Sequence, residues 1–174
     1  NLVNKTYNPS HAEAIWKSML RVNEIFNLFR SEFIGKSSPV HLFWGAFDLA
    51  VTRFSGELAP LHKGGVPNIP LEVMQEAYSQ EVSSAGFWLG SKDFPQPVFY
   101  AYSYPTPITF SEQKILPKEA YYSPEMGEFF LNYNDVQKSN NSEQMLSDFL
   151  ESTYKASAVS GNWKRKKLER NYKN

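Results

Sequence analysis

The spacing of apolar residues changes period twice along this chain, and that change restricts the fold more than any other feature. Ile15, Met19, Val22, Phe26, Phe29 and Phe33 recur four and three residues apart, the interval that stacks side chains on one face of a helix. Trp16 and Leu20 widen the first half of this stripe. Ser10 and Glu13 have capping-box spacing, and Gly35 with Pro39 supplies a stop, so a helix is predicted over residues 10–34. Its three large phenylalanines suit a globular core better than a coiled-coil seam. From Val40 to Phe54 the residues are β-branched, aromatic or small, which predicts strand. A span of that length is long for one strand, and Gly45 is the expected place for a bulge or break.

Further strands are predicted at residues 78–90, 97–104 and 128–133, with a short helix at 71–77 opened by Pro70. The helical period returns over residues 142–160, where Leu146, Phe149, Leu150 and Tyr154 share a face and Gly161 stops the run. A helix, several strands and a closing helix predict an α+β domain: an antiparallel β-sheet flanked by an N-terminal and a C-terminal amphipathic helix. One such domain is assigned to residues 1–162, and the basic residues of 163–174 are expected to form a solvated tail.

Charge and composition narrow the function classes. Eighteen Lys and Arg balance eighteen Asp and Glu, so no global field draws in nucleic acid or anionic membrane. The absence of cysteine removes disulfides, thiolate metal sites and a cysteine nucleophile together, and fits a bacterial cytoplasmic protein. No apolar run approaches the ~20 residues that span a bilayer. Dinucleotide, P-loop, zinc-protease and nucleophile-elbow signatures are missing, and no cofactor is implied. Ser111 to Lys114 matches SxxK but lies in a predicted loop without its partner motifs. His41 and His62 are too far apart in sequence to suggest a metal pair.

The stretch FWGAFDLAVTRFSG, residues 43–56, holds the candidate site. Its odd positions Phe43, Phe47, Leu49 and Val51 form an apolar face, while Trp44, Asp48, Ala50, Thr52 and Phe54 form a mixed one. A mixed face suits a pocket with a few polar groups among apolar walls, and Tyr100, Tyr102 and Tyr104 alternate onto a comparable face. Arg53 has the parity of the apolar face and so needs a carboxylate, with Glu76 or Glu81 expected to supply it. The candidate ligand-binding set is therefore Asp48, Thr52, Arg53, Glu76, Glu81, Trp44, Trp88, Tyr100 and Tyr102. If the chain catalyses a reaction, Asp48 or Glu81 would act as acid or base; Arg53 would either tie sheet to loop through a structural carboxylate pair or anchor a small-molecule anion. The competing function is an interaction module whose aromatic face docks a partner.

The blocks HLFWGAFDLAVTRFSG, EAYSQEVSSAGFWLGS and PVFYAYSYPTP, with FIGKSSPVH before them and NW after the last helix, carry a resemblance. Together they resemble an uncharacterised bacterial family, domain of unknown function 5996, in its C-terminal portion. No catalytic residue is implied, because the family has no assigned activity. The resemblance does imply a further segment before the first helix. A pocket or apolar surface shared with that N-terminal segment is then expected, with the isolated chain aggregating or pairing.

Overall fold

The structure, a computed structural model, describes residues 7–65 and 69–170. Its elements in chain order are α1 (Pro9–Ser31), β1 (His41–Phe43), β2 (Asp48–Leu58), α2 (Leu71–Ala77), β3 (Gln80–Trp88) and β4 (Val98–Tyr104). A 3₁₀ turn (Phe110–Glu112), β5 (Tyr121–Ser123), β6 (Glu128–Asn132), α3 (Tyr133–Lys138), α4 (Ser142–Ser160) and α5 (Arg165–Leu168) follow. The six strands make one sheet in the order β1-β2-β3-β4-β6-β5, antiparallel at every pairing. This is the expected α+β architecture, with α1 and α4 as the two amphipathic helices.

One face of the sheet is apolar and meets both helices. Leu49 and Val51 of β2 lie opposite Phe87 and Ala85 of β3, followed by Phe99 and Ala101 of β4 and Leu131 and Phe129 of β6. These residues form one buried cluster with Met19, Val22, Ile25, Phe26 and Phe29 of α1 and Leu146, Phe149 and Leu150 of α4. The helical stripe read from the sequence is thus the buried one. Trp16 and Leu20 are not part of it, being 61% and 44% exposed; the buried edge runs through Ile25 instead. The helix also starts differently. Asn8, not Ser10, is the N-cap: its side chain accepts from the amides of Ser10 and His11 at 3.0 and 3.4 Å, with Pro9 at the first helical position.

Residues 40–54 break where Gly45 stands, and the break is a hairpin rather than a bulge. Residues 44–47 form its turn, closed by the Phe47 amide donating to the Phe43 carbonyl at 2.7 Å. Phe47 takes a φ of 58°, the left-handed region that a bulky side chain seldom enters. The outer edge of β2 is covered by residues 36–38, through Phe54 N to Lys36 O at 3.0 Å and Ser38 N to Thr52 O at 2.9 Å.

Residues 163–170 are not the solvated tail that their charge suggested. Trp163 and Leu168 are buried, and Trp163 stands edge-on to Tyr154 at 6.0 Å. The Leu168 carbonyl accepts from Ile34 N at 2.8 Å, and Arg170 N donates to Glu32 O at 2.9 Å. Two apolar side chains spaced among the lysines let this segment close the end of the core that α1 leaves open. Among the described residues no helix is long and apolar enough to cross a membrane.

Candidate functional site

The second face of the sheet carries the polar residues that the β-alternation separates from the core. Asp48, Thr52 and Phe54 of β2 share it with Ser84, Gly86 and Trp88 of β3, Tyr100 and Tyr102 of β4, and Glu128 and Phe130 of β6. Segments at both ends frame it. At one end Tyr78, which ends α2, puts its hydroxyl 2.7 Å from that of Tyr102, and His62 stacks between Tyr78 and Tyr104 with ring centroids 4.8 Å from each. At the other, Phe94 in the β3–β4 connection stacks on Trp88 at 5.6 Å and meets Phe130 at 5.9 Å. Between them the rings of Tyr100 and Tyr102 lie nearly parallel, their centroids 6.2 Å apart.

Polar atoms converge on this floor. The Tyr100 hydroxyl donates to Asp48 Oδ2 in a short hydrogen bond, and Thr52 Oγ1 lies 2.9 Å from Ser84 Oγ. Gly86 makes the first contact possible: a Cβ there would overlap the Tyr100 ring, so the ring crosses β3 only because the position has no side chain. Gly86→Ala is expected to displace Tyr100 and cost about 2–3 kcal/mol in a urea melt, since overpacking costs of this order are usual. Much of that cost should vanish in a Tyr100→Ala background. Equal costs in both backgrounds would show that the ring is not held this way.

The electrostatics of the face are those of acids taken out of water. Burial raises Asp48 above the ordinary carboxylate range, although the Tyr100 hydroxyl, its own backbone and His41 pull the other way. Burial first and then the Asp48 charge lift Glu128 to about 7. Tyr100 and Tyr102 are both pushed well above the ordinary phenol value, again by burial first, and Tyr78 is raised by the same cause. Among the described residues no lysine or arginine lies close enough to pull any of these five back down. The face therefore offers one carboxyl group half-protonated near neutral pH and, three strands away, a second raised by burial whose charge is felt at the first.

Arg53 lies on the other side. Its guanidinium is 1% exposed in the core, donating to the Phe29 carbonyl in a short hydrogen bond and reaching Glu151 Oε1 at 3.4 Å. The rings of Phe29, Tyr154 and Phe33 surround it at 3.4, 4.3 and 5.2 Å. Its partner is thus Glu151 of α4 rather than Glu76 or Glu81, because the parity that sends Arg53 inward sends it toward the helices. Glu76 is exposed on α2, and Glu81 has the parity of the helix-packed face. Trp44 stands at the hairpin tip, 80% exposed, in contact with Phe47 and apart from the tyrosines.

Of the nine candidates, Asp48, Thr52, Trp88, Tyr100 and Tyr102 come together on one face. Arg53, Glu76, Glu81 and Trp44 do not join them. Glu128, Ser84, Gly86 and Tyr78 complete the face. Glu128 was legible in principle, since it alternates with Phe130 against the apolar Phe129 and Leu131. Among the described residues no cluster of three or more His, Asp or Glu could hold a metal ion. On the helix side of the sheet a separate cleft of about 590 Å³ opens between α1, α3 and α4.

Comparison with curated proteins and with solved structures finds no match. The model of one family of unknown function, DUF5996, matches residues 1–170, nearly the whole chain, and the protein belongs to that family.

Proposed function

We propose that this protein binds a small polar molecule on the tyrosine-lined face, and that the ligand is one that donates hydrogen bonds, through hydroxyl or ammonium groups. The observation that carries this is the gathering of Asp48, Glu128 and three tyrosine hydroxyls on one half-buried surface, where no Lys or Arg among the described residues draws either carboxyl down and the lysine on the face, Lys36, stands over Phe54 toward the other end of β2. Carboxylates in such a setting gain from a donor and repel an anion. Stacked aromatic rings beside them accept the apolar faces of a sugar or the charge of an amine. An anion anchored by Arg53 has no place in this reading, because the guanidinium is enclosed on the far side of the sheet.

A thermal-shift screen of polyols, sugars and amines tests this, with Asp48→Asn and Glu128→Gln as controls of unchanged shape. Hits should raise the melting temperature of the wild type and lose most of that effect in both variants. Ligands that stabilise the variants equally, or that stabilise only as anions, would overturn the assignment.

An interaction module is the competing function, supported by the hairpin tip. Phe43, Trp44 and Phe47 are 49%, 80% and 39% exposed there, an apolar cluster held out by a left-handed residue. If the tip docks a partner or another segment of the same protein, Trp44→Ala should abolish the association and leave small-molecule shifts intact.

A further inference from the structure

We propose that the cleft between α1, α3 and α4 binds a monocarboxylate with an apolar body, at a site independent of the tyrosine face. The cleft measures about 590 Å³, inside the ~300–1,000 Å³ typical of small-molecule sites. Its existence follows from how the two long helices lie. Arg21 of α1 reaches Glu143 of α4, while Arg53 bridges Phe29 of α1 to Glu151 of α4, so the helices run in the same direction. Toward their C-terminal ends they are closed by Phe29, Phe33 and Tyr154 in edge contact. Toward their N-terminal ends the gap reaches down to the sheet.

The floor of that gap is apolar: Val22 and Ile25 of α1, Phe99 of β4, Val136 of α3 and Leu146 of α4. These side chains belong to the main core and are only 1–9% exposed, so an apolar body in the cleft gains chiefly by removing its own surface from water against the part of them that reaches the gap. The mouth is polar and slightly positive. Lys17 and Arg21 line one wall and Glu143 the other, two cations against one carboxylate. Lys17 is shared with Glu13 at 2.7 Å, which leaves Arg21 as the anchor. Its Nη1 is 3.8 Å from Glu143, with both side chains more than 70% exposed, a contact too long and too wet to hold the fork. A ligand carboxylate would take two parallel bonds from that fork. Ser18 and Tyr133, whose hydroxyls lie 2.9 Å apart at the same wall, add a neutral hydrogen-bonding pair. Glu143 across the mouth disfavours a dianion, which selects a singly charged head.

Decanoate, used below its micelle concentration, and decanol, the same chain without the charge, are the probes. Calorimetry on the full chain should find decanoate bound about threefold tighter than decanol, the size of one exposed charge-assisted contact. Arg21→Gln should remove that threefold and leave decanol unchanged, and amide and methyl shifts should cluster at Val22, Ile25, Phe99 and Leu146. Tyr100→Phe should not alter any of these values. Equal affinity for the two probes, an unchanged Arg21→Gln variant, shifts elsewhere or no binding at low millimolar concentration would each overturn the assignment.

Discussion

Arg53→Ala is expected to destabilise the fold by about 3–5 kcal/mol, a loss large enough to threaten folding on its own. The substitution opens a cavity under three aromatic rings and removes the donor to the Phe29 carbonyl. Glu151 adds little to the loss, because its side chain is half exposed and water takes the place of the guanidinium. Arg53→Met should recover all but about 1–2 kcal/mol of the loss. Methionine refills the volume and spares the desolvation of a charge, which for Arg53 is strong enough to pull its own pKa below the ordinary value against the attraction of Glu151. Urea denaturation of the three proteins measures this directly. Equal losses for Ala and Met would mean that the charge, not the packing, supports this corner of the core.

Glu128→Gln should make the protein more stable at pH 8 by about 2–3 kcal/mol and leave it nearly unchanged at pH 4. In the folded chain Glu128 releases its proton near pH 7, and in the unfolded chain it does so near the ordinary value of 4.5. Below 4.5 both states hold the proton and the group contributes no difference. Between 4.5 and about 7 the folded state binds more protons than the unfolded one, so stability falls as pH rises. Above about 7 the full cost of a charge held out of water and repelled by Asp48 is present. That cost is roughly 1.4 kcal/mol for each pH unit separating the folded from the unfolded titration, less what partial exposure and local relaxation relieve. Glutamine keeps the shape and removes the ionisation. A wild type and variant whose stabilities run parallel from pH 4 to 8 would show that Glu128 titrates as an ordinary surface carboxyl.

These two residues illustrate what was readable in the chain and what was not. The alternation of Leu49, Val51 and Arg53 against Asp48 and Thr52 assigned each to its face of the sheet, because strand geometry is local and has period two. The 3.6-residue stripes of α1 and α4, the break at Gly45 and the bounds of α2 and α4 were legible for the same reason: spacing and turn chemistry act over a few residues. The α+β class followed from the order of those patterns alone.

Partners across the fold were decided by tertiary structure. Arg53 and Glu151 are 98 positions apart, and nothing in the spacing of either names the other. Only the packing of α4 onto the inner face brings that carboxylate to the guanidinium. Glu128 became part of the site because β6 pairs with β4 as well as with its sequence neighbour β5, which puts it on the face where it feels the Asp48 charge. The basic stretch at 163–170 read as solvated because charge dominates its composition, yet Trp163 and Leu168 hold it in a gap that exists only after α1 and α4 have packed. Local periodicity thus determined which way each side chain points. What it meets there depended on long-range packing, whose energy comes from surfaces that no single stretch of the sequence contains.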